Sequence, residues 1–434
     1  MKNFTIATTL SGALALSACS STPELIIAKP EAADLSLSKD SPVNQSAKLK
    51  LCDIATRVSS NNPQLRAARL RIQEAQGQVV QAGRLSNPEL EFDLNKNVKT
   101  SEGGLEVTFA QRFPITNRLR LEKHISSQQL AIAKEEIKVA QRALITQAQI
   151  LAVEIIHKRQ SAAYLKQQSA ILNQFAKHIE DSVQEGVLSS LDANQAKVEA
   201  VTLESQLDRV RTEEDILLNK LKAYIGVDPA RPLQLTGSLP TLKMPSATLI
   251  LGNRPEYRAK LIEINQSEQQ IALAKANRYQ DVEGRIFTSV DREEDAPEGL
   301  ETEGSVGVGV SVPLNFYNKN EGNIQSARAS ATRIVKEKEA LALVIRQEVA
   351  TQHAEMQSWL NQTQKLNNRL LPLADDNAEQ LEKAYSNGQA PFTSVLKARS
   401  QQLALQSQNL SNQQAFHTAR VRYFAAIGLE KSSF

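Results

Sequence analysis

Gly186 … Ala223-Tyr224-Ile225-Gly226 and Gly388 … Ala425-Ala426-Ile427-Gly428 are the same phrase written twice in one chain. The offset is 202 residues at both glycines, from 186 to 388 and from 226 to 428. Upstream, Asn62-Pro63-Gln64-Leu65-Arg66-Ala67 is echoed by Arg254-Pro255-Glu256-Tyr257-Arg258-Ala259, and a stretch ending Phe113-Pro114 by one ending Val312-Pro313. A repeat this long means one structural unit duplicated, so a single half carries the plan of the whole.

Working outward through the first half, Pro63 suits the first turn of a helix running to about residue 84. Asn87-Pro88 breaks it. Leu90, Phe92 and Leu94 then alternate with Glu89, Glu91 and Asp93, and after Gly103-Gly104, Leu105, Val107 and Phe109 alternate with Glu106, Thr108 and Ala110. Period two predicts two strands, about 88–96 and 104–113. No proline follows from Pro114 to Pro229, and Leu130, Ile137, Leu144 and Leu151 fall at sevens. That interval belongs to coiled coils. A helix over about 117–184 would span about 100 Å at 1.5 Å per residue. Gly186 can cap its end, and Ser189-x-x-Asp192 can cap the helix that runs on to Tyr224.

The second half repeats the order. It predicts a helix from about 255 to 279, strands at about 281–290 and 304–313, a long helix over about 320–386 kinked at Pro372, a turn at Gly388 and Pro391, and a last helix ending near Ile427. Val335, Ala342, Val349 and Met356 mark its sevens. Two half-length helices could lie alongside each full-length one. The proline-marked segment 227–251 joins the repeats and wraps the girth. The expected organisation is residues 1–18 leader, 19–48 tether, 49–226 first repeat, 227–251 linker, 252–428 second repeat and 429–434 tail.

Composition agrees with long helices: aromatics make up 4% and the chain holds only 17 glycines and 15 prolines in 434 residues. Net charge is +3, and Lys2 belongs to the leader, leaving the mature chain near neutral. No basic patch interleaved with aromatics is present, which argues against nucleic acid. With no run of 18 apolar residues after the leader, a helical transmembrane protein is not expected. Phe4 to Leu16, followed by Ser17-Ala18-Cys19, has the layout of a secretory signal. Its ending resembles a bacterial lipobox, which implies cleavage before Cys19 and acylation there; the alternative is an ordinary signal with an incidental cysteine. Ser20, rather than Asp, follows the cysteine, which in signals of that kind implies outer-membrane sorting. Cys52, the second of two cysteines, is expected to be a small buried residue.

The strands decide the environment. One face is apolar: Leu90, Phe92, Leu94, Leu105, Val107, Phe109, Val282, Ile286, Val290, Val306, Val308, Val310, Val312. The other carries Glu89, Glu91, Asp93, Glu106, Arg112, Glu283, Arg285, Gly307, Gly309 and Ser311. This is the pattern of a membrane β-barrel. Four strands cannot close one, and open edges cannot exist in lipid, so several chains must complete it. The alternative is a pair of amphipathic hairpins packed on helices.

With that plan in view, the chain resembles the TolC-like outer-membrane efflux channels in their lipid-anchored form. The resemblance rests on the duplicated helix–strand–strand–helix–helix order, the Gly186 and Gly388 turns, and Val395-Leu396-x-Ala398. Within the family, Arg254 to Ala259 and Val312-Pro313-Leu314-Asn315-Phe316-Tyr317-Asn318-Lys319-Asn320-Glu321-Gly322 resemble the cobalt–zinc–cadmium resistance branch. The resemblance implies a mainly α protein with a small β-barrel portion. A homotrimer would complete a 12-stranded barrel in the outer membrane, with a coiled-coil α-barrel projecting into the periplasm. It implies a passive conduit fed by a proton-driven inner-membrane pump of the RND type and a periplasmic adaptor. The adaptor would grip Gly186-Val187-Leu188-Ser189 and Gly388-Gln389-Ala390-Pro391, where turn chemistry alone would also ask for glycine. Several relatives carry two aspartates after the second tip as an acidic gate. Ser394 and Lys397 stand there in this chain, so Asp192 and Asp375-Asp376 become the substitute candidates.

The polar strand face holds five acids against two arginines, and a loop from Asp291 to Glu303 is expected to add seven acids and one arginine outside the cell. An acidic lumen concentrates cations, which suits heavy-metal export as it suits any water-filled pore. The five histidines, His124, His157, His178, His353 and His417, include no His-x-x-x-His pair, and no Cys-x-x-Cys is present, so no metal site is expected. Gly307-Val308-Gly309 lacks the third glycine of a dinucleotide loop and no phosphate-binding loop is present, so neither cofactor nor enzyme activity is expected. Alternatives are export of drugs or other organic compounds by the same kind of channel, and a structural coiled-coil lipoprotein.

Overall fold

The computed structural model describes residues 47–184, 189–295 and 299–429. The leader, Cys19, the tether up to residue 46, Gly186-Val187-Leu188 and residues 430–434 lie outside the described residues.

In chain order the elements are β1 (Ala47–Lys50), α1 (Ile54–Asn61), α2 (Pro63–Gln81), β2 (Glu89–Lys96), β3 (Gly103–Phe113), α3 (Arg118–Gln184) and α4 (Ser190–Ile225). The second repeat follows with β4 (Leu233–Thr236), α5 (Pro255–Ala276), β5 (Val282–Asp295), β6 (Gly299–Ser311), α6 (Glu321–Lys365), α7 (Leu371–Ser386) and α8 (Phe392–Ala426).

At 67 residues α3 is about 100 Å long. It packs against α2 and α4 of its own repeat and against α5 and α8 of the other, while α6 lies on α5 and α8. The sevens point inward: Ile137 and Leu151 are buried, and Met356 is sealed under Phe416 and Tyr423. One stretch of α3 is long and apolar enough by composition to cross a membrane, but 56% of it is buried inside the protein, so its apolar side chains serve the core. Ile145, Ala148, Leu151 and Ile155 of α3 form a core with Ile54 and Val58 of α1 and Leu221 and Ile225 of α4.

Each half-length pair is spliced end to end. Asn62 caps α2 by accepting from Leu65 N at 2.9 Å and donates to the Tyr224 carbonyl at the end of α4. Arg254, before α5, donates to the Ala426 carbonyl of α8 at 2.6 Å. The Ile-Gly phrases lie at these splices. Gly226 has φ +65°, and a Cβ there would sit 2.4 Å from the Asn61 carbonyl oxygen.

Several expectations need correction. The second long helix is interrupted by a π-type turn, Leu366–Leu370, just before Pro372. A proline lacks the N–H and crowds the carbonyl four residues back, and a wider turn relieves both. The segment taken as tether to residue 48 already pairs from Ala47: β1 runs parallel to β4 of the linker. Cys52 is exposed, because the turn Leu51–Asp53 buries Leu51 instead. The linker also carries Leu242, Met244, Ala247 and Leu249 onto the second repeat's core.

Candidate functional site: the four-stranded sheet and the helical tip

The two hairpins join into one antiparallel sheet of order β2-β3-β5-β6. Register makes the faces explicit. Phe92 lies opposite Val107, then Thr288, then Val306; Leu90 lies opposite Phe109, then Ile286, then Val308. These two rows are apolar apart from Thr288 and open, with Phe92 66% exposed and Val306 and Val308 each 81%. A continuous apolar surface of this kind marks a membrane or partner contact. Among the described residues, β2 and β6 each have a neighbour on one side only.

The opposite face brings the sequence-derived polar residues together. Arg112 reaches Glu283 at 3.1 Å and Glu89 at 3.7 Å, and Arg285 reaches Glu283 at 3.6 Å. Asp93 lies across from Glu106, which accepts from Thr108 at 2.9 Å, and Glu91 lies across from Thr108. Sequence reasoning missed Phe287 on this face. Its ring lies over Gly307, where a Cβ would come within 2.3 Å of it. The signal was available: Phe287 shares the odd-numbered register of Glu283 and Arg285.

The acidic segment expected as a loop from Asp291 to Glu303 is mostly strand. Asp291 pairs with Glu303 while still facing Gly104 of β3, and from Glu293, which pairs with Glu301, the second hairpin outruns the first; residues 296–298 are outside the described ones.

At the other end of α3 the tip has its own core. Phe175 lies 5.8 Å from Tyr385 and 6.0 Å from Phe392, with Ile179, Ala193 and Val395 packed around them. Ser189 accepts from Leu191 N at 3.2 Å, so it caps α4. The expected partner in that cap, Asp192, is engaged elsewhere: it accepts from the Tyr385 hydroxyl at 3.1 Å and ties α4 to α7. Burial, with Asp192 adding to it, pushes the Tyr385 hydroxyl up to about 12. Gly388, φ +70°, ends α7: its N–H donates to Tyr385 O, and Gln389 N–H to Ala384 O. These paired bonds form a Schellman cap. Gln389 and Pro391 are exposed and Ala390 half-buried; Pro391 leads into α8. Ser394 is half-buried and Lys397 exposed. Asp375 accepts from Gln402 and Asp376 from Gln380, so neither joins Asp192 in one cluster. Among the described residues no group of three or more His, Cys, Asp or Glu is placed to hold a metal ion.

The model of the outer membrane efflux protein family matches residues 55–227 and again 247–429, one match per repeat. The cobalt-zinc-cadmium resistance protein CzcC of Cupriavidus metallidurans is 21% identical over 380 residues, covering 85% of this chain and 84% of that protein. Among solved structures, CusC superposes with a TM-score of 0.73 at 18% identity, covering 87% of this chain and 92% of that one. The outer membrane protein VceC of Vibrio cholerae gives 0.69 at 20% identity, covering 87% and 96%. The duplicated match spans both repeats, and the chain therefore belongs to the outer membrane efflux protein family, as a passive channel and not an enzyme.

Proposed function

We propose that three copies of this chain form the outer-membrane conduit of a tripartite efflux assembly, and that the cargo is heavy-metal cations. The observation that carries the reading is the four-stranded sheet, apolar on one open face, charged on the other, and unpartnered at both edges. Lipid satisfies no backbone groups, so such edges must pair with other copies, and three sheets of four give twelve strands. The helices then extend about 100 Å into the periplasm toward an adaptor and a proton-driven RND-type pump. The adaptor would contact Gly186 to Ser189 and Gly388 to Pro391, and acylation of Cys19 would anchor the chain to the outer membrane.

Acid excess on the polar sheet face supports cation cargo by raising the local cation concentration. The likeness to CzcC supports metals in particular. No dedicated ligand cluster is required, because a conduit needs a favourable potential and not a site.

Deleting the gene in its host and measuring growth on graded zinc, cobalt, cadmium, copper and silver, beside dyes and antibiotics, tests the cargo. Sensitivity to metals alone supports the proposal. Sensitivity to organic compounds would move the channel to drug export. The mass of the detergent-extracted oligomer tests the assembly, and a monomer would overturn it.

A further inference from the structure

Midway along α3, His157 meets His417 of α8, with ring centroids 5.7 Å apart and planes tilted by 35°. Both side chains are buried, at 2% and 4% exposure. Neither Nδ1 nor Nε2 of His157 has a hydrogen-bond partner, nor does Nδ1 of His417. A neutral imidazole carries one donor and one acceptor, so three unmatched ring nitrogens in a packed seam are an exception that calls for a reason. Val153 and Val421, one helical turn from His157 and His417, pack with Ile150 and with Leu239 of the linker, and Phe416 lies edge-on to His417 at 5.5 Å.

The charged groups nearby give no help to an imidazolium. On α8, Arg420 acts on His417 with the wrong sign, and its Nε is itself buried without a partner. On α3, Lys158 turns to Glu213 of α4 at 2.6 Å, and Arg159 pairs with Glu214 of α4. Glu154 of α3 is partly buried, which raises its pKa, against the opposing pull of Lys220 on α4, Lys158, and Arg422 on α8. None of these carboxylates bears on either ring. A cation other than the proton fits poorly, given Arg420 and the lack of a third ligand among the described residues.

We infer that the His157–His417 contact makes the seam between α3 and α8 proton-sensitive: it holds both rings only as neutral imidazoles, and charging either one parts the two helices. Burial pushes His157 down to about 4, and burial, His157 and Arg420 push His417 down to about 3. Both values lie below that of an unfolded histidine, about 6.5. The contact's stability is therefore fully present above about pH 6.5 and drains away as pH falls toward about 4. The other seam of α3 does not share this window. α3 is held to α5 by the Arg142–Glu256 pair, by Arg258–Glu135 at 2.8 Å, and by Gln266 donating to Ile125 O. Burial opposes ionisation of Glu135, but Lys138 and Arg258 outweigh it and hold its carboxyl below the ordinary value. Mild acid thus loosens the tip-ward seam and spares the strand-ward one. The inference concerns this seam alone and does not depend on the cargo.

Backbone amide exchange of the purified full-length protein, read by mass spectrometry at about pH 7.5 and about pH 5, tests it. After correction for intrinsic rates, opening of peptides covering 150–160 and 413–421 should rise by about thirtyfold for each ring freed at the lower pH. Peptides covering Glu135 and Arg258 should not change. His417→Phe and His157→Gln should each remove the pH-dependent part of the rise due to that ring. Equal opening of the wild type at both pH values, or a full rise persisting in both variants, would overturn the inference. Should either variant fail to fold, the wild-type comparison decides alone.

Discussion

Asn62 donates from Nδ2 to the carbonyl oxygen of Tyr224 at 2.9 Å, joining the first turn of α2 to the last turn of α4. Its Oδ1 simultaneously accepts from Leu65 N, so one buried amide caps one helix and terminates another. One orphaned N–H of α2 and one orphaned carbonyl of α4 are satisfied by a single side chain. Asn62→Ala should cost about 1–3 kcal/mol, the sum of a lost cap and an abandoned carbonyl. Asn62→Ser keeps the cap but is too short for the tie, and should recover about half. Thermal midpoints compared at one fixed scan rate check this, which keeps the comparison sound where unfolding is irreversible.

The glycines separate two physical causes that sequence alone merges. Gly226 and Gly388 have nearly the same φ, +65° and +70°. A Cβ on Gly226 would strike the Asn61 carbonyl, whereas nothing lies within 4 Å of one on Gly388. Gly388→Ala should therefore cost only the left-handed strain, about 1–2 kcal/mol. Gly226→Ala should cost distinctly more, because the α2 splice must also shift. Gly388→Asn should be milder than Gly388→Ala, since asparagine tolerates this conformation. Equal losses at both glycines would refute the close-approach account.

Most of this architecture was legible because it is periodic. The alternation through Leu90, Phe92 and Leu94 fixed which strand face is apolar, and the sevens through Ile137 and Leu151 fixed a long helix. What escaped reading depends on contacts far apart in the chain. Ala47–Lys50 is too short to read as a strand and acquires that identity only by pairing with Leu233–Thr236. Asp291 to Glu303 looked like a loop because carboxylates have low strand propensity, yet the β5–β6 ladder carries the acids onward in register. Asp192 looked like half of a capping box until Tyr385, on the other repeat, claimed its carboxylate. The histidines gave no local spacing, and only the packing of α3 on α8 brings His157 to His417.

The Tyr385–Asp192 bond should reveal itself in alkali. The hydroxyl is raised from the ordinary tyrosine value to about 12 by burial first and by Asp192 second. Its protonated form favours the folded tip, so this stability is intact below about pH 10 and lost as pH rises toward about 12. Tyr164, also pushed up to about 12, should titrate alongside it. Tyr385→Phe keeps the ring against Phe175 and Phe392 but removes one late-titrating tyrosine from the near-ultraviolet absorbance. The variant should lose about 1 kcal/mol at neutral pH and show a flatter alkaline loss. Loss of a tyrosine that titrates near the ordinary value, with the late-titrating ones intact, would mean that the tip does not hold the hydroxyl protonated.

The polar sheet face sorts its carboxylates by whether they are already neutralised. Glu89 and Glu283 share Arg112, and Glu283 also meets Arg285, while among the described residues Glu91 and Asp93 enter no ion pair. A paired carboxylate contributes little potential beyond its partner, so Glu91, Asp93 and Glu106, which among the described residues accepts only from the Thr108 hydroxyl, should dominate the attraction for cations. In bilayer recordings, Glu91→Gln with Asp93→Asn should lower cation-over-anion preference more than Glu89→Gln does. Removing Glu89 unpairs part of the Arg112 charge and should also admit anions, but less, because Glu283 remains at 3.1 Å. The difference should shrink as salt is raised past about 0.1 M, where the screening length falls to about 10 Å. Selectivity that ignores all three substitutions would move its origin from this face to the acidic extension of β5 and β6, where charge reversal at Asp291 and Glu293 would then carry the effect.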